Sequence, residues 1–296
     1  MSYTNHQMDV RLYTFGEGKP EVMTCLANDY GFAVNSFVLL GKEKALLIDT
    51  QWNRANAHKV CAEIINSGRE LETIVLSHAH PDHYFGTEVF LQAFPDAKVY
   101  AMPEDIETIR KEINGKRDYW IDQPGMGKWN VPQASDLPMV PLEQDSLYLE
   151  GTEVRIYQHV WGDLKYNTMA WVPEIKTLYG SDILFSQAHP FTCEVSARGR
   201  AKWIKDLDRF QAYDADLVVP GHSKWGEPYD GRAFDFTREY LLATEEELAN
   251  TTTVGEFYYN MVERFPHAVL LRSDEMNAQV FKGGKEWYFS DEEDED

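Results

Sequence analysis

Apolar and polar positions alternate through Val10-Arg11-Leu12-Tyr13-Thr14-Phe15, which predicts a half-buried strand. Residues 32–40 and 44–48 are almost continuously apolar, which predicts two more strands joined by a turn at Gly41. In residues 54–66 the apolar side chains of Val60, Ile64 and Ile65 sit on shifting faces and Gly68 lies just beyond, the pattern of a helix closed by glycine. The run Thr73-Ile74-Val75-Leu76 reads as a buried strand, followed by a helix over 84–94, a strand over 97–101 and a helix over 103–116 opened by Pro103. A second strand-rich section covers 146–149, 154–157, 168–172 and 177–179, with a turn at 173–176. Helix 201–213, strand 217–219 and helices 234–249 and 254–265 close the chain. Strands followed by helices occur twice, which suits an α/β fold of two similar halves packed sheet on sheet, helices outside.

Residues 117–145 have no clear period, yet carry Trp120, Trp129 and two methionines. Such a stretch inside a compact domain is an insertion over a site, shaping a substrate pocket, or a surface crossover on hydrophobic anchors. The 43% hydrophobic content of the 296 residues supports a sizeable core, read as one domain over 1–290. Lys and Arg number 28 against 49 Asp and Glu, a net charge of −21 that repels phosphate backbones and anionic lipid. Nucleic-acid and membrane partners are therefore disfavoured. The acids at 291–296 read as a solvated, disordered tail. The first thirty residues hold no apolar run of signal-peptide length, so a cytoplasmic protein is expected. Cys25, Cys61 and Cys193 form no Cys-x-x-Cys pair and are expected to be free thiols.

The candidate chemistry lies in Ser77-His78-Ala79-His80-Pro81-Asp82-His83, directly after the strand at 73–76. In extended backbone His78 and His80 share a face, and Pro81 turns the chain so that Asp82 and His83 face them. Imidazole and carboxylate suit zinc, iron or manganese, so this turn predicts a metal centre.

The spacing His-x-His-x-Asp-His after a strand resembles the signature of the metallo-β-lactamase superfamily, and the resemblance implies an αββα sandwich of two mixed sheets flanked by helices. It implies that Asp49, at a strand end, supports the histidine turn without coordinating. It places Asp182 of Gly180-Ser181-Asp182 between two ions and His222 of Val219-Pro220-Gly221-His222 among the ligands. An aspartate, Asp163, stands where a histidine is common, with His159 as its competitor. The implied set is His78, His80 and Asp163 on one ion, Asp82, His83 and His222 on the other, and Asp182 bridging. Two divalent ions follow, zinc first; the extra carboxylate makes iron or manganese competitive.

The function this implies is a dinuclear metal-dependent hydrolase that uses a metal-bridging hydroxide on a small-molecule ester, lactone, thioester or amide. Asp82 would return a proton to the leaving group. His189 would overhang the ions as proton donor or substrate contact, or be a loop histidine bonded to backbone. Tyr166 and Asn167 are candidates for oxyanion contacts; Trp203, Trp225 and Tyr229 are expected to pack the core. The alternatives are a diiron protein that binds or activates dioxygen, and a metal- and ligand-binding protein without turnover. Monomer and homodimer both stay open.

Overall fold

The computed structural model describes residues 7–123 and 126–286; the acidic stretch 291–296 lies outside the described residues. Strands β1 (Met8–Tyr13), β2 (Glu21–Ala27), β3 (Asn35–Leu40) and β4 (Lys44–Ile48) form an antiparallel meander. It continues in parallel through β5 (Glu70–Val75), β6 (Lys98–Ala101) and β7 (Met139–Pro141), giving a seven-stranded sheet in chain order. Its helices are α1 (Arg54–Asn66), the one-turn α2 (Pro81–Tyr84), α3 (Thr87–Ala93) and α4 (Pro103–Trp120).

The second half holds β8 (Ser146–Leu149), β9 (Thr152–Val160), β10 (Asn167–Val172), β11 (Thr177–Tyr179), β12 (Phe185–Ser186), β13 (Leu217–Val219) and β14 (His222–Ser223). Five of these form a sheet in the order β13-β11-β10-β9-β8, and β12 pairs in parallel with β14. The helices are α5 (Ala197–Gln211), α6 (Arg232–Asn250), α7 (Val254–Arg264) and α8 (Leu271–Gly283).

Every residue of β3 is buried because both of its faces are covered. Phe37 and Leu39 join Ile156, Val172 and Val219 in the core between the sheets, whereas Val38 and Leu40 pack with Val60, Ile64 and Phe90 under the outer helices. Met169, Trp171 and Val218 point the other way, onto Trp203, Leu207 and Phe210 of α5 and Tyr240 of α6. The period-two alternation of the strands thus builds helix, sheet, sheet and helix layers, the expected αββα sandwich of mixed sheets.

Several elements differ from the expectation, among them β2 at Glu21–Ala27, which is not anticipated, and α5, which starts at Ala197. The helix predicted over 103–116 runs on to Trp120, and residues 139–141 add an edge strand to the first sheet. The helix predicted over 84–94 is interrupted at Gly86, and α8 is not anticipated because its buried face carries Ser273, Asp274 and Asn277 beside Met276 and Ala278. Cys25 and Cys61 are buried and Cys193 partly so, all three free. Among the described residues no helix is long and apolar enough to cross a membrane.

A Cβ on Gly86 would collide with the carbonyl oxygen of Thr50 and press on Ala57 of α1, so only glycine lets α3 lie against the end of β4. The Gly86→Ala variant is expected to lose about 3 kcal/mol or more of unfolding free energy by urea titration.

Candidate metal centre

Two parallel neighbours, β4 and β5, end side by side, with Ile48 opposite Val75. The chain leaves β4 at Asp49 in a left-handed conformation (φ 64°) that turns its carboxylate under the loop leaving β5. Asp49 Oδ1 accepts the Ser77 N–H at 2.9 Å, and Oδ2 accepts the Ser77 hydroxyl at 2.8 Å and the Tyr179 hydroxyl at 2.6 Å. The same Oδ2 lies 2.8 Å from His83 Nδ1. Pro81 opens α2 directly after His80, so Asp82 and His83 sit on one helical turn facing His78.

The second half supplies the rest. Asp182 follows β11 in a tight turn, where Ser181 (φ 45°) donates its hydroxyl to Ser77 Oγ at 2.6 Å. The backbone N–H of Gly221 donates to Ser181 O at 2.8 Å, and a Cβ on Gly221 would strike Asp182, so glycine permits this approach. Asp163 leaves β9 and is fixed by its N–H on the Asp182 carbonyl at 3.2 Å.

The ligand atoms of His78, His80, Asp163 and Asp182 lie within 4.8 Å of one another, as do those of Asp82, His83 and His222. Asp182 spans the two groups: its Oδ2 is 4.0 Å from His78 Nε2 and 3.0 Å from His222 Nε2, and its Oδ1 is 3.3 Å from His83 Nε2. His78 Nε2 is 3.8 Å from Asp163 Oδ1, His80 Nδ1 is 2.8 Å from Asp163 Oδ2, and Asp82 Oδ2 is 3.4 Å from His222 Nε2. Donors bound at about 2.1 Å to one ion are themselves about 3.0–3.4 Å apart, so these separations suit shared cations.

The residues also fit a cation by what they leave unmet. The buried Nε2 atoms of His78 and His83, both oxygens of Asp163 and Oδ1 of Asp182 have no hydrogen-bond partner among the described residues. Unpaired buried groups of this kind are costly in a closed site. Each imidazole is meanwhile anchored through its other nitrogen: His78 Nδ1 on Ser77 Oγ at 2.9 Å, His80 Nε2 on Glu194 at 2.9 Å, His83 Nδ1 on Asp49, and His222 Nδ1 on the Phe32 carbonyl at 2.6 Å. Such partners fix the tautomer and leave the free nitrogen aimed at the centre.

Burial raises the Asp163 carboxyl to about 7 against the pull of His80. Burial would raise Asp182 too, but His222 and His83 hold it well below the usual carboxylate range. His78 is driven well below its ordinary value by burial and by His83. Burial would also lower His80 and His83, yet Asp163 and Glu194 on one side, and Asp182, Asp49 and Asp82 on the other, lift both well above it. The cluster is thus a set of carboxylate–imidazole pairs at which a divalent ion competes with protons.

The seven predicted ligands meet in this cluster. His159 does not: it is half exposed on β9 and pairs with Glu104 at 3.3 Å. His189 is a correction. It is buried and does not line the cavity at the centre; its Nδ1 is 3.0 Å from the Tyr240 hydroxyl, and that hydroxyl donates to Asp274 Oδ1 at 2.9 Å. The loop after β12 is pinned by the His189 N–H on the Val269 carbonyl, which turns this side chain toward α6. Tyr166 packs on His159, and Asn167 donates to the Leu164 carbonyl to shape its loop. Trp203 and Tyr229 are buried as expected, whereas Trp225 is exposed and does not pack the core; none of the three lines the cavity at the centre. Among the described residues of 117–145, Trp120 alone lines the cavity at the site, while Asn130 caps α1 and Glu88 binds the N–H groups of Gln133 and Ala134. Missed from the sequence were Glu194, Tyr179 and Lys116, whose Nζ donates to the Ala79 carbonyl at 2.9 Å; none stands in a local pattern that marks it, and Ser77, though part of the histidine motif, is given no role by it.

The metallo-beta-lactamase superfamily model matches residues 29–222. A linear primary-alkylsulfatase from a Pseudomonas species is 24% identical over 240 residues, covering 70% of this chain and 44% of that enzyme. The chain thus spans under half the length of this curated relative. A metallo-beta-lactamase from Pontibacter korlensis superposes with a TM-score of 0.57 at 18% identity over 80% of this chain and 99% of that one. The DIM-1 metallo-beta-lactamase gives 0.56 at 19% identity over 80% and 99%. The likeness to these structures is one of fold.

Replacing Asp49 by Ala is expected to weaken metal retention by about 10–100-fold, measured by equilibrium dialysis with elemental analysis. Under the same assay Asp163→Ala is expected to lose metal and His159→Ala to retain it. Burial lifts Asp274 to about 7, above its unfolded value, so its contribution to stability is complete at acidic pH and is lost as pH rises through 7. Relative to the wild type, Asp274→Asn is therefore expected to gain on the order of 2–4 kcal/mol in urea titrations between pH 5 and pH 8.

Proposed function

The chain belongs to the metallo-β-lactamase superfamily, and on that premise we propose a dinuclear metal-dependent hydrolase of small-molecule esters, thioesters, lactones or amides. The observation that carries this reading is Asp182, whose carboxylate lies between two groups of buried, outwardly anchored ligands, Oδ2 reaching His78 of one and His222 of the other and Oδ1 reaching His83. His78, His80 and Asp163 would hold one ion, Asp82, His83 and His222 the other, and Asp182 both. Zinc is the first candidate, as the borderline ion that imidazole and carboxylate accept. Bound divalent ions supply Lewis acidity, polarising a carbonyl and making water nucleophilic near neutral pH.

The protein's own part is positioning and proton handling. Glu194, Asp49, Ser77 and the Phe32 carbonyl keep the four imidazoles from turning, so that little reorganisation accompanies reaction. Asp82 lines the adjoining cavity and directs Oδ2 at His83 and His222, leaving Oδ1 to take a proton from attacking water and return it to the leaving group. The apolar walls of that cavity exclude bulk water from the bond being cleaved.

A second reading is favoured by Asp163, whose hard oxygen donors stand where an imidazole is common and suit iron or manganese. A diiron protein active on dioxygen would contain two irons and absorb visible light; a colourless zinc protein excludes it.

Purified protein is expected to contain two divalent ions per chain by elemental analysis and to hydrolyse members of an ester, thioester and lactone panel. Turnover should vanish on dialysis against chelator and return with metal. Asp182→Ala should fall to at most one ion and lose roughly 100-fold or more in kcat/KM, beyond the loss from an outer partner. Turnover that persists in chelated, metal-free protein would refute the reading.

A further inference from the structure

The cavity beside the centre is walled by Phe32, Trp52, Trp120, Phe191, Leu270 and Met276, a mostly apolar cleft that opens to solvent on one side and meets the predicted ligands Asp82, Asp163 and Asp182 on the other. These residues come from the turn after β2, the end of β4, the last turn of α4, the loop after β12 and the start of α8. Phe32 and Leu270 both adopt left-handed backbone, φ 62° and 64°. That conformation disfavours residues other than glycine and persists where the surroundings impose it.

One residue imposes it on both walls. The Asp29 carbonyl accepts the Phe32 N–H at 3.1 Å, and Asp29 Oδ1 accepts the Leu270 N–H at 3.0 Å. Phe32 in turn gives its carbonyl to His222, so the turn that presents an apolar ring to the cavity also orients a predicted ligand. Phe32, Trp52 and Trp120 brace one another, with ring centroids 4.7 Å apart for Phe32–Trp52 and for Trp52–Trp120. This wall is built and held in register with the centre.

Charge on the lining runs one way. Asp82, Asp163 and Asp182 face the cavity, with Asp49 and Glu194 behind them. Imidazoles aside, Lys116 is the one basic side chain among the described lining residues, and its Nζ is taken by the Ala79 carbonyl at 2.9 Å and Glu112 at 3.0 Å. Arg272 lies outside the wall, its guanidinium 5.0 Å from the Trp120 ring and donating to Gln123. No arginine lines the cavity among the described residues. Once Asp82, Asp163 and Asp182 hold cations their charge is offset, and beyond the ions themselves a sulfate, phosphate or carboxylate would meet apolar surface without the basic fork that recognises such anions.

Resting on the hydrolase reading above, we infer that the substrate is uncharged: an acyl ester or thioester with an extended alkyl or aryl group that lies along Phe32, Trp120, Leu270 and Met276. Sulfate and phosphate esters of the same chain are disfavoured, because no arginine and no uncommitted lysine among the described lining residues would hold their charge. The site thereby departs from the sulfate ester named for its alkylsulfatase relative.

The test is calorimetric titration of metal-loaded full-length protein with straight-chain hydroxamic acids from acetyl to decanoyl. Their common head group binds metal, and their tails report on the wall. Affinity is expected to rise roughly 3- to 4-fold per added methylene through the middle of the series, the yield of burying a CH₂ group. A tail of equal length ending in carboxylate should bind at least 10-fold more weakly, and n-decyl sulfate should not displace decanohydroxamate. Met276→Leu should keep the slope with chain length and Met276→Glu should flatten it, with thermal unfolding used to confirm that both fold. Acetohydroxamate that binds with a flat chain-length series overturns this inference and leaves the metal centre standing. Failure of acetohydroxamate to bind loaded protein sinks both. Displacement by decyl sulfate, or its hydrolysis, overturns the uncharged assignment.

Discussion

The buried carboxylate of Asp49 joins the two halves of the molecule at the metal centre. Its two oxygens meet the backbone and hydroxyl of Ser77 and an imidazole nitrogen of His83 from the first half, and the Tyr179 hydroxyl from the second. A carboxylate in a dry interior is tolerable only when its lone pairs are met, and here neighbours on both sheets meet them. The arrangement sets the height of the histidine turn above β5, the rotation of His83 and the approach of the turn carrying Asp182. Ser181 bonding to Ser77 adds a second tie across the same seam.

From that seam outward the site is a balance of like and unlike charge. Seven imidazole and carboxylate groups converge in a region from which water is largely excluded, and His80, the most open of the four imidazoles, keeps only 12% of its side-chain surface. Without a cation the carboxylates draw protons onto His80 and His83, while His78, crowded by other imidazoles, resists one. A divalent ion relieves the same repulsions with better geometry, which is why folding and loading are coupled in centres of this kind. The outer partners are therefore as much part of the centre as the ligands.

The centre and the cavity beside it are built by opposite means. Polar groups are paired inward and held by hydrogen bonds, whereas the wall is aromatic and aliphatic and held by packing and by two left-handed residues. Phe32 belongs to both, through its carbonyl on His222 and its ring on Trp52. Substrate orientation and ligand orientation thus share one strained turn, so a change that relaxes Phe32 reaches the metal side as well.

The chain itself determined much of this. Strand and helix periods gave an α/β sandwich, since alternation and the 3.6 repeat are local consequences of backbone geometry. The turn from His78 to His83 was legible because its ligands lie within six positions, and His222 because proline, glycine and histidine follow a strand. Contacts between residues distant in sequence were decided by tertiary structure alone. Asp163 joins the cluster and His159 does not, because the strand β9 carries His159 to solvent and the irregular backbone after it carries Asp163 inward. Glu194 reaches His80 across 114 positions, and His189, close in sequence to Asp182, is turned away by a bond to Val269. Helix α8, which supplies Met276 to the wall, has a buried face too polar to announce itself. Local pattern fixes which groups can share a face of one element; which elements meet depends on how the two sheets pack.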